Sequence, residues 1–261
     1  MGPNRREKVR LATITASKVS KTYRSNARLV HALEDVSFSA EENEFVTFVG
    51  PSGCGKSTLL KIVGGLLDRS GGDVMVKGQP VLGPRRDIGI MFQTPVLFDW
   101  RTALENVLLP VEVLGLDPGT YRERARGILQ MTGLEGFEDS YPNQLSGGMQ
   151  QRVSLGRALV YEPDVLLMDE PFGALDEFTR ERLNLEIQRI WMERRKTILF
   201  VTHNITEAVF LSDQILVMTP RPGRLARIVR VPFPRPREIR LMKTTEFASL
   251  VFEIREVLGV A

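Results

Sequence analysis

The chain has 261 residues, 43% of them hydrophobic, which is enough to bury the core of one large domain or two smaller lobes. Its formal net charge is only +3, so its composition gives no case for a nucleic-acid partner. A single cysteine, Cys54, excludes an internal disulfide and fits a reducing compartment.

The first ten residues, Met1 to Arg10, are polar and basic, and no apolar run follows them. They therefore do not resemble a secretory signal peptide. No stretch approaches the roughly 20 consecutive apolar residues that cross a bilayer. We expect a soluble chain, for which any role at a membrane depends on a partner.

Residues 16 to 45 alternate between apolar and polar side chains, most clearly at Val36, Phe38 and Ala40. This alternation predicts a small antiparallel sheet packed beside the core. Tyr23 falls within this region, and considered by itself it would be an ordinary packed aromatic residue.

Continuous apolar runs predict the strands of the core. These runs are Phe45 to Val49, Val165 to Met168, Ile198 to Val201 and Ile215 to Met218. Such runs, separated by helical patterns, indicate a parallel sheet covered by helices. One of these helices is marked by Leu183, Ile187, Ile190 and Trp191.

From about Thr94 to Val160 the pattern becomes helical. Two amphipathic helices are predicted, with apolar positions at Tyr121, Ala125, Ile128 and Leu129 in the first and at Met149, Val153 and Leu159 in the second. Gly133 is placed to end the first of them. We therefore predict a helical subdomain inserted between core strands near Ile90 and Val165.

The last part of the chain is rich in proline and in basic residues, the latter from Arg221 to Lys243. The prolines predict an extended path, and we expect the basic side chains to be solvated rather than bound to anionic lipid. A final helix is predicted from Phe247, Leu250, Val251 and Ile254.

A phosphate-binding loop follows the first core strand. It fits the pattern G-x-x-x-x-G-K-[ST] and consists of Gly50, Pro51, Ser52, Gly53, Cys54, Gly55, Lys56, Ser57 and Thr58. Apolar residues at helical spacing follow, so the required strand, loop and helix are all present. Backbone N–H groups of such a loop surround a β-phosphate at the positive end of the helix.

Three side chains of this loop have predicted roles. Lys56 adds a positive charge at the β- and γ-phosphates, and the Ser57 hydroxyl is a Mg²⁺ ligand. Cys54 is expected to be a small spacer whose backbone binds phosphate, because no histidine or asparagine constellation indicates cysteine catalysis.

Two carboxylates, Asp169 and Glu170, come directly after a buried strand. They should lie at the carboxyl edge of the parallel sheet, where ligands bind in open α/β folds. Together with the phosphate loop, they predict that Asp169 holds Mg²⁺ and that Glu170 accepts a proton from the attacking water. A solvated acidic pair is the alternative.

The stretch from Leu145 to Gln150 reads Leu-Ser-Gly-Gly-Met-Gln. It resembles the signature motif of ABC-type ATPases. Its Ser146, Gly147 and Gly148 open a helix and so provide a second anion-binding helix N-terminus. Because the helical insert separates this site from Lys56, we expect a head-to-tail dimer in which the signature of one chain meets the phosphate loop of the other.

Four further marks of the ABC family occur in the family's order. The resemblance implies that Tyr23 stacks on adenine and that Gln93 links the metal, the water and a membrane partner. It also implies that Ala174, Leu175 and Asp176 cross the dimer interface and that His203 is the switch histidine at the γ-phosphate. Alone, His203 would be an ordinary strand-end histidine. Gln150 belongs to the nucleotide-binding signature on the same basis.

The resemblance implies an α/β fold: a P-loop NTPase (RecA-like) core with a small antiparallel β subdomain and an inserted α-helical subdomain. The predicted boundaries are 12–93 and 161–230 for the core with its β subdomain, 94–160 for the helical signature subdomain and 231–261 for a C-terminal extension. The implied cofactors are ATP and Mg²⁺.

The segment after Gln93, from Leu97 to Val107, and the turn from Met218 to Arg224 look like the importer ATPases for nitrate, sulfonate and taurine. The resemblance implies a homodimer at the cytoplasmic face of the inner membrane, driving a permease that an extracytoplasmic binding protein supplies, with no nucleic-acid partner. One alternative is a soluble ABC ATPase acting on nucleic acid or ribosomes. Another is an ATP-gated interaction module without turnover, which intact Glu170 and His203 disfavour.

Overall fold

The computed structural model describes residues 12–25, 28–173 and 176–260. In chain order the elements are β1 (Ala12–Ser25), β2 (Arg28–Glu41), β3 (Phe45–Val49), α1 (Lys56–Val63), β4 (Gly71–Val76), β5 (Gln79–Pro80), β6 (Ile88–Met91), α2 (Ala103–Val113), α3 (Pro118–Met131), α4 (Gly147–Leu159), β7 (Val165–Asp169), α5 (Glu177–Arg194), β8 (Thr197–Val201), α6 (Ile205–Leu211), β9 (Gln214–Met218), β10 (Leu225–Arg230) and α7 (Thr245–Leu258). Short 3-10 helices lie at Pro142–Gln144 and Ile239–Lys243.

The core is a six-stranded sheet in the order β10-β9-β3-β8-β7-β6. The last five strands in this order are parallel, and β10 is antiparallel to β9. Every residue of β3, β7, β8 and β9 is buried, which confirms the four predicted core strands. Because these strands are parallel, their carboxyl ends meet at one edge, and the segments that follow β3, β6, β7 and β8 lie side by side there.

A second sheet, antiparallel, has the order β2-β1-β4-β5. Its predicted apolar positions Val36, Phe38 and Ala40 are buried, as period-two alternation requires. Phe38 packs edge-on against Phe48 of the core sheet, with 5.0 Å between ring centroids. The sequence patterns did not predict β4 and β5, which complete this sheet.

The region between β6 and β7 contains three α-helices. Local side chains start all three: Thr102 and Glu105 form a capping box on α2, the Asp117 carboxylate caps α3, and the Ser146 hydroxyl caps α4. Gly133 adopts φ 68° just beyond the end of α3, where the sequence predicted a helix stop. The division into subdomains at residues 94, 160 and 230 stays a prediction. None of the helices within the described ranges is long and apolar enough to cross a membrane.

The expectation that the whole basic segment is solvated is wrong for Arg235 and Arg237. The Arg237 side chain is buried and donates to the carbonyls of Phe233, Val209 and Phe210. The Arg235 guanidinium lies 4.1 Å from the centre of the Trp191 ring. Burial lowers the pKa of Arg237 to about 9. These arginines fasten the C-terminal segment onto α5 and α6.

Replacing Arg237 with alanine should lower the free energy of unfolding by about 3 kcal/mol, because several buried carbonyls lose their donors and a cavity is left. Arg240→Ala is the matched control, since the Arg240 side chain is 82% exposed and pairs with the neighbouring, exposed Glu238. We expect the control to change stability by less than about 0.5 kcal/mol. Urea denaturation measures both. Equal effects would contradict a stabilising role for the buried guanidinium.

Candidate functional site

The phosphate-binding loop joins β3 to α1 at the carboxyl edge of the core sheet. Gly55 has φ 107° immediately before the helix, a backbone conformation that side chains disfavour. A Cβ at this position would also lie 2.6 Å from a methyl carbon of Leu33. The Cys54 side chain is buried in the apolar cluster beneath the loop, as expected for a spacer. The glycines therefore allow the loop to curl with its backbone exposed toward the cavity.

Lys56 occupies the first position of α1 and is only 5% exposed. Its ammonium donates to the carbonyls of Gly50 at 2.8 Å and Pro51 at 3.1 Å, both neutral acceptors within the same loop. A buried cation held by neutral groups is stabilised when an anion joins it. This arrangement fits the phosphate groups of a nucleotide.

The next residue, Ser57, links the loop to the carboxylate that follows the β7 strand. Its hydroxyl donates to a carboxylate oxygen of Asp169 at 2.8 Å. Burial raises the pKa of Asp169, and the hydrogen bond from Ser57 offsets part of that rise. A hydroxyl and a carboxylate this close are two oxygen donors that suit Mg²⁺, which prefers few protein ligands together with phosphate oxygens.

Glu170 stands at the centre of a second cluster. Its backbone adopts φ 45°, which costs roughly 1 kcal/mol for a residue with a side chain, and its amide donates to the carbonyl of Val201 at 2.9 Å. One carboxylate oxygen, Oε2, accepts from the Gln93 amide at 3.2 Å and lies 3.4 Å from Nδ1 of His203. The ends of β6, β7 and β8 thus bring two predicted residues, Gln93 and His203, to the carboxylate of a third, Glu170.

A cavity of about 470 Å³ is bounded by groups from both clusters, Lys56 and Ser57 from the first and Gln93 and Glu170 from the second. Its lining is composed of Tyr23, Val30, Ala32, Ser52, Gly53, Gly55, Lys56, Ser57, Thr58, Gln93, Glu170 and Arg221. The Tyr23 side chain is 40% exposed at one side, and its hydroxyl lies 3.2 Å from that of Thr58. The cavity therefore has an aromatic wall, a cationic phosphate loop and a carboxylate, which together fit a nucleotide with its metal.

The signature residues lie elsewhere. Ser146 caps α4, its hydroxyl accepting from the amide of Met149 at 3.3 Å, and both Ser146 and Gly147 are exposed while Gly148 is half-buried. The Gln150 amide donates to the carbonyls of Pro142 and Leu145, so this side chain supports the signature from behind rather than facing outward. Among the described residues that line the cavity, none belongs to the signature.

The predicted interface loop is described only in part. Ala174 and Leu175 lie outside the described residues. Asp176 caps α5, because its carboxylate accepts from the amide of Thr179 at 3.0 Å. The hydrogen bond from the Thr179 hydroxyl, together with this one from its amide, holds the pKa of Asp176 below its usual value. The structure therefore shows Asp176 as a helix cap.

A family model described as ABC transporter matches residues 33–173 of this chain. An uncharacterized ABC transporter ATP-binding protein of Methanocaldococcus jannaschii is 45% identical over 241 residues, which are 92% of this chain and 90% of that protein. The chain belongs to the ABC transporter family. An aliphatic sulfonates import ATP-binding protein, SsuB, of Bacillus cereus is 42% identical over 234 residues, 90% of each chain.

Two solved structures are similar to this ABC protein. One is a dimeric structure of MJ0796, a bacterial ABC transporter cassette, and the other is a post-hydrolysis state of the same cassette bound to ADP and Pi. Each superimposes with a TM-score of 0.76 at 35% identity, covering 85% of this chain and 100% of the cassette. These findings confirm the P-loop NTPase fold and identify the chain as an ABC ATPase.

Sequence reasoning missed two residues that join the ABC signature helix to the loop of Gln93. Gln151 is buried in α4, and its amide donates to the Gln93 carbonyl at 2.7 Å. Arg157, two turns further along, donates to the carbonyls of Val96 and Pro95. Both are polar positions of a predicted amphipathic helix, and such positions usually face solvent. Burial lowers the pKa of Arg157, in keeping with a guanidinium enclosed by this contact.

A further buried carboxylate of this ABC ATPase lies in α6, the helix that follows His203. Glu207 of α6 is 4% exposed and accepts a short hydrogen bond from the Thr202 hydroxyl. Burial raises the pKa of Glu207 to about 7, and the bond from Thr202 offsets only part of the rise. Thr202 also accepts from the amide of Asn204 at 3.0 Å, so these groups brace the turn that presents His203.

Proposed function

We propose that this chain is the ATP-binding subunit of an ABC importer, hydrolysing ATP in a head-to-tail homodimer to drive a separate permease. The observation that carries this proposal is the cluster of Gln93, Glu170 and His203. Two of its members, Gln93 and Glu170, line the same cavity as Lys56 and Ser57. Such a cluster can hold a nucleophilic water beside a γ-phosphate, whereas an ATP-gated module without turnover has no need of it.

In this reaction Glu170 is the general base. Its carboxylate accepts a proton from the attacking water, while Gln93 and His203 fix the oxygen that receives it. Lys56 and the backbone N–H groups of the loop stabilise the charge on the phosphates. Ser57, Asp169 and Gln93 would hold Mg²⁺, which when bound neutralises charge on the β- and γ-phosphate oxygens.

The homodimer follows from the position of the signature. Ser146 and Gly147 are exposed at the start of α4, and the described lining of the chain's own cavity lacks them. An exposed helix N-terminus with a serine cap favours an anion. We infer that it meets the γ-phosphate held by the partner's phosphate loop. The dimeric structure of the similar MJ0796 cassette supports the homodimer.

Replacing Glu170 with glutamine should lower ATP turnover by about 10²- to 10⁴-fold while leaving ATP binding intact, because only the proton acceptor is lost. ATP should then hold the variant as a dimer. Phosphate release and light scattering after gel filtration measure the two effects. Glu123→Gln serves as the control, since the Glu123 side chain is 82% exposed on α3. Wild-type turnover in Glu170→Gln would refute the assignment.

The permease contact is assigned to the segment after Gln93. Asn106 is fully buried and fixes this segment by accepting from the Phe98 amide and donating to the carbonyls of Phe98 and Arg101. Leu97 packs against the core, but the Trp100 side chain is 72% exposed and stacks on Phe98 with 4.8 Å between ring centroids. A rigidly held aromatic pair, in which Trp100 is exposed and Phe98 is half-buried, favours a partner.

We assign this surface to a short cytoplasmic helix of the permease. The chain would then sit at the inner face of the membrane, and an extracytoplasmic binding protein would deliver the cargo. The similarity to SsuB, an aliphatic sulfonates import protein, favours a small anion such as a sulfonate, nitrate or taurine. The alternative of a soluble ATPase on nucleic acid or ribosomes gains no support from a net charge of +3.

Replacing both Phe98 and Trp100 with serine should leave the isolated subunit folded and able to bind ATP, because Trp100 is exposed and neither side chain belongs to the buried core. Association with the permease should weaken by about 30-fold or more, as for loss of a 2 kcal/mol anchor. Copurification and substrate uptake measure this. Leu82→Ser is the control, since Leu82 is 82% exposed elsewhere. Unchanged assembly and uptake would refute the docking role.

A further inference from the structure

The loop between β9 and β10, residues 219–224, lies beside the phosphate loop. β9 neighbours β3 in the core sheet and runs parallel to it, so the segments that follow the two strands leave the same edge. The Thr219 hydroxyl closes this loop by donating to the Pro222 carbonyl at 3.2 Å and accepting from the Arg224 amide at 3.0 Å. The loop is therefore a folded turn next to the nucleotide cavity.

Gly223 fastens the turn on two sides. Its amide donates to the Ala32 carbonyl, its carbonyl accepts from the Glu34 amide, and both distances are 3.0 Å. A Cβ on Gly223 would lie 2.0 Å from the Cys54 carbonyl oxygen, so only glycine allows this approach to the phosphate loop. The turn is thus wedged between β2 and the phosphate loop.

Arg221 projects from this turn to the cavity. Its Nε and Nη2 donate to the same Gly53 carbonyl, at 3.2 and 2.9 Å, and its side chain lines the cavity with Lys56 and Tyr23. A carbonyl leaves the guanidinium charge uncompensated, and three of its five N–H donors remain beyond these two bonds. Planar guanidinium groups of this kind recognise phosphate oxygens.

A second arginine of the same turn behaves differently. Arg224 pairs with the Glu34 carboxylate at 2.7 Å, so its charge is compensated within the chain. It is absent from the described lining of the cavity. Arg224 therefore forms a structural ion pair, whereas the Arg221 guanidinium is directed at the nucleotide cavity.

We propose that Arg221 is a nucleotide-binding residue that holds the phosphate loop at Gly53 and presents its guanidinium to the phosphates of the nucleotide bound in the same chain. This proposal rests on the proposed ATP-binding function. It adds the turn after β9 to the loop after β3 as an element of the phosphate site, and it gives a role to part of the Met218 to Arg224 segment that the sequence singled out.

The test measures the affinity for ADP with Mg²⁺ by calorimetry, at low and at moderate salt, for wild type, Arg221→Ala, Arg221→Lys and the control Arg224→Ala. We expect Arg221→Ala to weaken binding about tenfold at low salt and to reduce its salt dependence, since one charged contact is lost. Arg221→Lys should lose less, because a positive charge remains. Arg224→Ala should bind like the wild type.

The melting midpoint without nucleotide shows whether the variants are folded. We expect Arg221→Ala and Arg224→Ala to have the same melting midpoint. Millimolar guanidinium should restore part of the ADP affinity of Arg221→Ala and should not raise the affinity of the other proteins. A loss of affinity with unchanged salt dependence, equal in Arg221→Ala and Arg221→Lys, would mean that Arg221 only shapes the loop and would overturn the proposal. Wild-type affinity in Arg221→Ala would overturn it too, whereas failure of the wild type to bind ADP would overturn the ATP-binding function itself.

Discussion

The nucleotide site depends on the burial of one ammonium group. Lys56 is 5% exposed, and its donors meet the neutral carbonyls of Gly50 and Pro51. Keeping a cation from water costs several kcal/mol unless an anion accompanies it, so the loop is stabilised when phosphate binds. Gly55 permits the curl, α1 adds its positive end, and the turn after β9 supports the outer side of the loop. The surrounding structure holds this cation in position.

Nucleotide binding at the partner's phosphate loop can be transmitted to this chain through α4. Ser146, the N-cap of this helix, is assigned to the partner's γ-phosphate, and Gln151 and Arg157 on the same helix donate to the carbonyls of Gln93, Pro95 and Val96. Because a helix moves as a rigid rod, a shift of the signature also shifts the Gln93 loop and the aromatic pair that follows it. α4 therefore connects the proposed contact with the partner subunit to the proposed contact with the permease.

The sequence predicted well wherever a pattern is local. The strands β3, β7, β8 and β9 are buried on both faces and so read as continuous apolar runs, and the phosphate loop has its own spacing. The sequence did not predict features that depend on contacts between residues far apart in the chain. The burial of Arg237 depends on carbonyls of α6 that are far away in the chain, and β4 begins with glycines at the surface of a sheet.

Placement of individual side chains was harder to predict still. Gln150 and Gln151 are adjacent in α4 but point in different directions, because successive residues lie on different faces of a helix. Gln150 donates to the carbonyl of Pro142 beside the signature, whereas Gln151 donates to the carbonyl of Gln93. Arg221 reaches the phosphate loop because β9 lies next to β3 in the sheet. Local sequence patterns predict strands but do not reveal the order of those strands in the sheet. The predicted site residues Gln93, Glu170 and His203 do converge, because parallel strands end at one edge.

The central claim is that a complete ATP site requires two chains. A disulfide formed between two different cysteine variants tests it most directly. Ser52→Cys and Ser146→Cys would be made as separate proteins, each with Cys54→Ala and Glu170→Gln. The account predicts that oxidation of the mixture gives a cross-linked dimer with ATP and Mg²⁺ and little without them, and that neither protein alone does so. A mixture that fails to cross-link with ATP, or that cross-links equally without it, would contradict the head-to-tail site.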